Sequence, residues 1–331
     1  MGPSERREGG AVMEKERRLE LATRGPFQLD ATVRLLQRRP TNLVDLFEND
    51  RHVRLFETAS GPVLAITENA GTVDEPKLVA TLRGPAVPVA VARQLESTLR
   101  RMLGLEVDPA VLSTLGSIDQ RLAPTVRALR GLRPPRFPDL FEAFANVIPF
   151  QQVSLDAGVA AVRRLVERFC SPRDLDGRRF YPFPRAERVA SARVETVRAT
   201  GLSGAKAQAL HGIARRIADG ELREEEMDRL PTPEAMRRLV ELPGIGPWSA
   251  GLLLLRGFGR LDSFPTRDVG VARGLASVLG LAPGTPFDQA SFAARFGDAK
   301  GLLYFLSLGS QLLGRGLIRP AEEGSRRQRR T

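Results

Sequence analysis

The residue types able to do chemistry concentrate in two short stretches, LPGIGPWSAG at 242–251 and PTRDVGV at 265–271. In the first, Pro243 and Pro247 interrupt an otherwise helical run. Gly244 and Gly246 permit positive φ angles and clear side chains from the path of a ligand. Pro247 suits the first turn of a new helix, where its missing N–H costs nothing. Amides left free at such a terminus can converge on a phosphate, helped by the helix dipole. That chemistry holds a nucleic-acid backbone without reading its bases. A tight helix corner that only packs is the plainer reading of the same residues. In the second stretch, Asp268 precedes VGVARGLASVLG, which reads as a helix. On position alone Asp268 is an N-cap. A carboxylate placed there also stays ionised and fixed in direction.

Other chemistries are poorly supplied. Cys170 is the one cysteine, so a disulfide framework and a Cys-based zinc or iron–sulfur site are excluded within one chain. His52 and His211 are the only histidines and read as surface or packing residues, which disfavours metal catalysis and Ser-His or Cys-His pairs. The net charge of +11 suits a polyanion and predicts binding that weakens with salt. The excess is nearly all arginine, with lysine only at 15, 77, 206 and 300, so part of it reflects compositional habit. No apolar run approaches the roughly 20 residues of a membrane span. The charged opening residues lack a signal-peptide apolar core, which points to the cytoplasm.

The elements that must position the two stretches read as an α+β chain in two units. Residues 1–23 are polar and charged and are expected as a tail. RHVRLFET and PVLAITEN, joined by ASG, predict a hairpin, and KLVATLRG a further strand. VPVAVARQLESTLRRMLGL predicts an amphipathic helix with Val91, Leu95, Leu99, Met102 and Leu103 on one face. Residues 24–110 are therefore expected as a small antiparallel-sheet domain with helices. Residues 111–318 are expected as a mainly helical domain, interrupted at GLRPPRFP, near Pro149 and at the glycine corner 201–204. Residues 319–331 read as a basic tail.

LPGIGPWSAG, taken with RLDSFPTRDVGVARGL, resembles the hairpin, Gly/Pro-rich loop and catalytic aspartate of the helix-hairpin-helix DNA glycosylases. Within that superfamily the chain is similar to the DNA-3-methyladenine glycosylase II family. FEAFANVIPFQQVSLDAG resembles that family's first long helix and Q-x-V-S segment, and GLSGAKAQALHGIARRIADGEL its helix pair. The likeness runs over most of residues 26–317 and is most specific from 240 to 272.

The resemblance implies a helix-hairpin-helix glycosylase core behind the sheet domain, acting in base-excision repair. The implied reaction is hydrolysis of the N-glycosidic bond of an alkylated purine, of the 3-methyladenine type, after the base is flipped from double-stranded DNA. Asp268 would stabilise the oxocarbenium-like state. Strand-cleaving relatives carry a lysine where Trp248 stands, so the implied enzyme is monofunctional and uses water. Trp248, Leu252, Val269 and Tyr304 would line the pocket. Leu252 and Val269 replace aromatics common in the family, and Tyr304 or Phe27 would compensate. Gly244, Ile245, Gly246 and Ser249 would grip DNA. Gln151 and Gln152 match the wedge segment, with Gln152 the intercalating residue. Ser154 would cap a helix or bond a phosphate. Arg267 and Arg273 are candidate DNA contacts, and Lys206 is expected to be solvated or near a phosphate. Carbonyls of Val240, Leu242 and Gly244 would hold a monovalent cation, Na+ or K+. No cofactor is required, and a monomer in the cytoplasm or on the nucleoid is expected. The rival readings are a non-catalytic DNA grip and the same fold acting on deaminated bases such as hypoxanthine.

Overall fold

The computed structural model of the protein describes residues 15–282 and 284–321. Among them, the N-terminal sheet is built from β1 (Lys15–Leu21), β2 (Leu46–Glu48), β3 (Arg51–Thr58), β4 (Gly61–Asn69) and β5 (Leu78–Gly84), in the spatial order β1-β5-β4-β3-β2. All pairings are antiparallel. The β3–β4 hairpin closes where Thr58 pairs with Gly61, as the ASG turn predicts. In β5 buried and half-buried residues alternate, the period-2 pattern of a sheet with one face on a core.

Helix α1 (Leu29–Gln37) joins β1 to β2, and α2 (Val89–Met102) follows β5. Val91, Leu95, Leu99 and Met102 of α2 are buried, the face its periodicity predicts.

Residues 15–21 correct the expected tail. KERRLEL is the edge strand β1, paired with β5 from Lys15 opposite Gly84 to Leu21 opposite Leu78. Main-chain pairing recruits it, and its charged side chains on both faces stay exposed, where they guard the edge. Residues 1–14 and 322–331 of the two expected tails lie outside the described residues. Residues 319–321 are not tail: Gln28 Nε2 donates to Arg319 O at 2.7 Å and Ala321 is buried.

The helical unit runs through α3 (Ser113–Ile118), α4 (Ala123–Ala128), α5 (Leu140–Ala145) and α6 (Leu155–Phe169). A small hairpin, β6 (Arg173–Leu175) and β7 (Arg178–Phe180), follows. Then come α7 (Ala186–Ala190), α8 (Val194–Arg198), α9 (Gly204–Ala218), α10 (Glu224–Asp228) and α11 (Thr232–Val240). The chain closes with α12 (Pro247–Arg256), α13 (Val269–Val278), α14 (Gln289–Ala294) and α15 (Leu302–Gly314).

The boundary expected at 110 does not divide the cores. Leu29 and Val33 of α1 pack in the sheet core, while Ala31 and Leu35 pack in the helical core. Phe180 of β7 packs on Val53, Leu55 and Leu64 of the sheet. Arg54 of β3 reaches Glu142 of α5 with both ends of its guanidinium. The units are bolted together, so the sheet braces the helices that carry the chemistry.

Candidate active site

Helix α11 ends at Val240, and α12 starts at Pro247 after a turn of six residues. Gly244 sits at φ +80°, and a Cβ there would lie 2.6 Å from the Ala209 Cβ of α9, so only glycine fits. Gly246 departs from the expectation of positive φ. At φ −94° and ψ 177° it is the extended N-cap of α12, and a Cβ on it would meet nothing within 4 Å. Its smallness leaves open space outside the turn and does not relieve a strained backbone. The amides of Gly246, Trp248 and Ser249 meet no acceptor among the described residues, as first-turn donors do not. The structure narrows two of the expected DNA contacts. The Ile245 side chain is buried and its N–H donates to Leu242 O at 3.0 Å. The Ser249 hydroxyl is buried and accepts from Gln151 Nε2 at 2.9 Å, so only its amide faces outward chemistry.

Asp268 caps α13, its Oδ1 accepting from Val271 N–H at 2.9 Å. Its Oδ2 accepts from the indole Nε1–H of Trp248 at 3.0 Å. Gln289 Nε2 donates to the Asp268 carbonyl at 3.3 Å. The loop from α12 to α13 folds back closely, since a Cβ on Gly251 would come within 3.1 Å of Phe264 O, and Ser263 Oγ donates to Gly251 O at 3.0 Å. One helix therefore supplies the indole in its first turn, and the returning loop sets the carboxylate beside it. N-cap and fixed carboxylate are one arrangement. The half-buried Trp248 thus acts through its N–H, a use that ring chemistry alone does not reveal. Arg38, its guanidinium over the Phe137 and Phe150 rings, lies within electrostatic reach of Asp268, and burial lowers its pKa to about 10.

The expected pocket residues differ widely in exposure. Val269, beside Asp268, is 68% exposed. Leu252 is 3% exposed and Tyr304 5%, both within the helical core, Tyr304 edge-on to Phe305 at 5.3 Å. Leu252 follows Trp248 on α12, but the face it shares is the core face. Phe27 belongs to the core under the sheet and lines no site.

Gln151 and Gln152 follow a 3₁₀ turn at Ile148–Phe150 and part in role. Gln151 Nε2 donates to Gly244 O at 2.8 Å as well as to Ser249, so it braces the hairpin from inside. Gln152 is exposed, at φ +52°. Ser154 caps α6, accepting from Ala157 N–H at 3.2 Å. Lys206 corrects the expectation of a solvated or phosphate-near side chain. Its Nζ donates to Pro149 O at 3.2 Å and Gln151 O at 2.6 Å, and desolvation lowers its pKa. Arg267, at φ +64°, is exposed, and Arg273 is exposed with Nε donating to Val269 O at 3.4 Å. His52 is buried against Asp45 and His211 faces the Ala192 carbonyl. Burial pushes the Cys170 thiol up to about 12, which disfavours its thiolate form.

Residues 145–291 match the model of the HhH-GPD superfamily base excision DNA repair proteins, and residues 18–139 match the AlkA N-terminal domain. The chain is 25% identical over 247 residues to the DNA-3-methyladenine glycosylase of Bacillus subtilis, covering 74% of this chain and 80% of that one. It is 32% identical over 185 residues to a probable bifunctional transcriptional activator/DNA repair enzyme AlkA of Mycobacterium tuberculosis, covering 55% of this chain but only 36% of that relative. The solved 3-methyladenine DNA-glycosylase of Archaeoglobus fulgidus superposes with a TM-score of 0.72 at 24% identity, over 90% of this chain and 99% of the other, a likeness of fold. Among the described residues no helix is long and apolar enough to cross a membrane. With the two matches together taking up most of the sequence, the chain belongs to the HhH-GPD superfamily of base excision DNA repair proteins, with an AlkA N-terminal domain ahead of the helix-hairpin-helix core.

Proposed function

We propose that this chain is a monofunctional DNA glycosylase that hydrolyses the N-glycosidic bond of alkylated purines extruded from double-stranded DNA. The observation that carries the reading is the Asp268 carboxylate, fixed by one N–H on each oxygen, from Val271 and Trp248. A passive grip would use Asp268 only as the N-cap of α13 and has no need of a second oxygen fixed by Trp248. Loss of the base leaves positive charge on the sugar, and a preorganised carboxylate beside it lowers the barrier. An alkylated purine is itself cationic and departs readily, so no strong general acid is required. Water is the nucleophile in this reading. Trp248 cannot form a Schiff base, and the Lys206 ammonium is engaged with two carbonyls. The free amides at the start of α12 would hold a phosphate of the same strand. The test is release of free 3-methyladenine, 7-methylguanine or hypoxanthine from duplex DNA, scored beside strand cleavage. Release of methylpurine without cleavage is expected; release of hypoxanthine alone transfers the reading to deaminated bases, and binding without release reduces the protein to a grip.

Trp248 tests the geometry at one atom. Trp248→Phe keeps an aromatic ring and removes the donor to Oδ2. We expect single-turnover base release to fall roughly tenfold, with DNA affinity within about twofold of the parent. A loss of affinity at an unchanged rate would make the indole a base-binding wall instead.

The monovalent cation belongs to the same proposal. Leu242 O and Gly244 O each accept one N–H, from Ile245 and from Gln151 Nε2. A carbonyl carries two lone pairs, so each can still face an ion, and Val240 supplies the third carbonyl. The ion would sit opposite a DNA phosphate and take no part in the chemistry. Exchange of K+ and Na+ for tetramethylammonium at constant ionic strength is expected to weaken DNA binding and leave the rate of bound complexes unchanged; equal affinity in all three salts removes the ion from the reading.

A further inference from the structure

The turn that carries Gln152 is clamped from three sides by contacts that the chemistry at Asp268 does not use. From α9, Lys206 Nζ donates to the carbonyls of Pro149 and Gln151 at 3.2 and 2.6 Å. Towards the hairpin, Gln151 Nε2 donates to Gly244 O at 2.8 Å and Ser249 Oγ at 2.9 Å. From the C-cap of α1, the Arg38 guanidinium lies 4.3 Å from the centre of the Phe150 ring. Gly158 of α6 leaves that ring its place, since a Cβ there would fall 2.3 Å from it. What the clamp presents is Gln152, exposed and at φ +52°, a left-handed backbone that a glutamine rarely adopts unaided.

We propose that Lys206 and Gln151 are positioning residues for base extrusion, holding Gln152 as a preformed wedge at a fixed distance from the phosphate-gripping hairpin. This rests on the reading of the chain as a base-flipping glycosylase. The ammonium suits the task because it offers several donors to two carbonyls of one turn. The ordering cost of the left-handed wedge is met when the protein folds, not when DNA arrives. Because Gln151 bonds the hairpin directly, the wedge cannot move into the stack without the grip moving with it. Extrusion and phosphate binding thereby act on the same part of the strand.

The experiment uses the full chain with Lys206→Met, Gln151→Met, Lys206→Arg and Gln152→Ala. Thermal melts show which variants fold, and Gln151→Met carries the test if Lys206→Met does not. Two duplexes carry 7-methylguanine, one opposite cytosine and one opposite a tetrahydrofuran gap, where no pair has to break. Both Met variants and Gln152→Ala should lose at least about tenfold in single-turnover release from the paired duplex and under about threefold from the unpaired one. Lys206→Arg should stay within about threefold of the parent on both. Equal losses on the two duplexes, or none, would overturn the proposal. A third probe, 2-aminopurine beside a tetrahydrofuran site, reports unstacking without any excision. Its fluorescence should rise on binding the parent and not on binding Lys206→Met. If the parent releases no base yet shows that difference, the glycosylase reading fails and the clamp stands; if both proteins give the same rise, the clamp fails.

Discussion

Asp268→Asn is expected to fold as the parent does and to release base about 10³-fold more slowly in single turnover. The two halves of that result come from different oxygens. Oδ1 accepts the Val271 amide as an N-cap, and asparagine caps a helix about as well as aspartate. Melting should therefore hardly move. Oδ2 accepts the Trp248 indole N–H, and in the variant an amide NH2 turned to that side would meet a donor with a donor. The amide oxygen cannot satisfy Val271 and Trp248 at their separate positions as two carboxylate oxygens do. More important, the amide is neutral and gives a developing sugar cation no charge to meet. DNA affinity should hold or rise slightly, because a negative group is gone from a phosphate-facing surface. An unchanged rate would remove Asp268 from the chemistry and leave a DNA-holding helix pair. A parallel collapse of melting temperature and rate would make it structural.

The parts legible in the sequence are those whose signals are local. The N-cap aspartate, the Pro247 helix start and the glycine turn are each written within a few residues, and the structure has all three. The β3–β4 hairpin and the buried face of α2 followed from periods of two and 3.6 residues. What stayed hidden depends on groups without a sequence signature. Lys206 bonds carbonyls, and every residue has a carbonyl. Trp248 suggested a ring against a base, whereas its N–H is what meets Asp268, and only the fold of the intervening loop fixes which part of an indole points inward. Strand β1 was illegible because charged residues form it and backbone pairing alone recruits them. Leu252 lies one helical turn beyond Trp248, but helical spacing does not say which face the core will take.

The other large effect lies far from the chemistry, at the bolt between the sheet and the helices. Arg54 is buried, with Nη1 3.0 Å from both oxygens of Asp45 and 3.1 Å from Glu142 Oε1, and with Nη2 paired to Glu142 Oε2. His52 Nε2 also reaches Asp45 Oδ1 at 3.0 Å. One guanidinium thus serves two buried carboxyls. They divide unequally: burial raises both, but Arg54 and His52 together more than reverse it at Asp45, whereas burial wins at Glu142 and pushes it up to about 8. Arg54→Met fills similar space and leaves Glu142 buried without a cation and Asp45 with only His52 beside it. Breaking a buried pair typically costs about 3–5 kcal/mol, and we expect roughly 4 kcal/mol here by urea unfolding at pH 7. The pH dependence identifies the cause. Glu142 favours the protonated form in the folded parent and variant alike, so the difference rests on Asp45, which Arg54 helps to hold ionised in the parent and whose folded pKa rises when Arg54 is lost. The parent keeps the stability of an ionised Asp45 above about pH 4 and the variant does not, so the gap to the parent is smallest below about pH 4 and should widen as pH rises through the raised Asp45 pKa of the variant. Arg54→Met with Glu142→Gln should recover part of the loss at pH 8 and little at pH 5, because the amide removes only the charge that ionisation would bury. A penalty independent of pH would mean that the lost packing of Arg54 against Phe56, whose ring centre is 5.1 Å away, decides the matter and the charges do not.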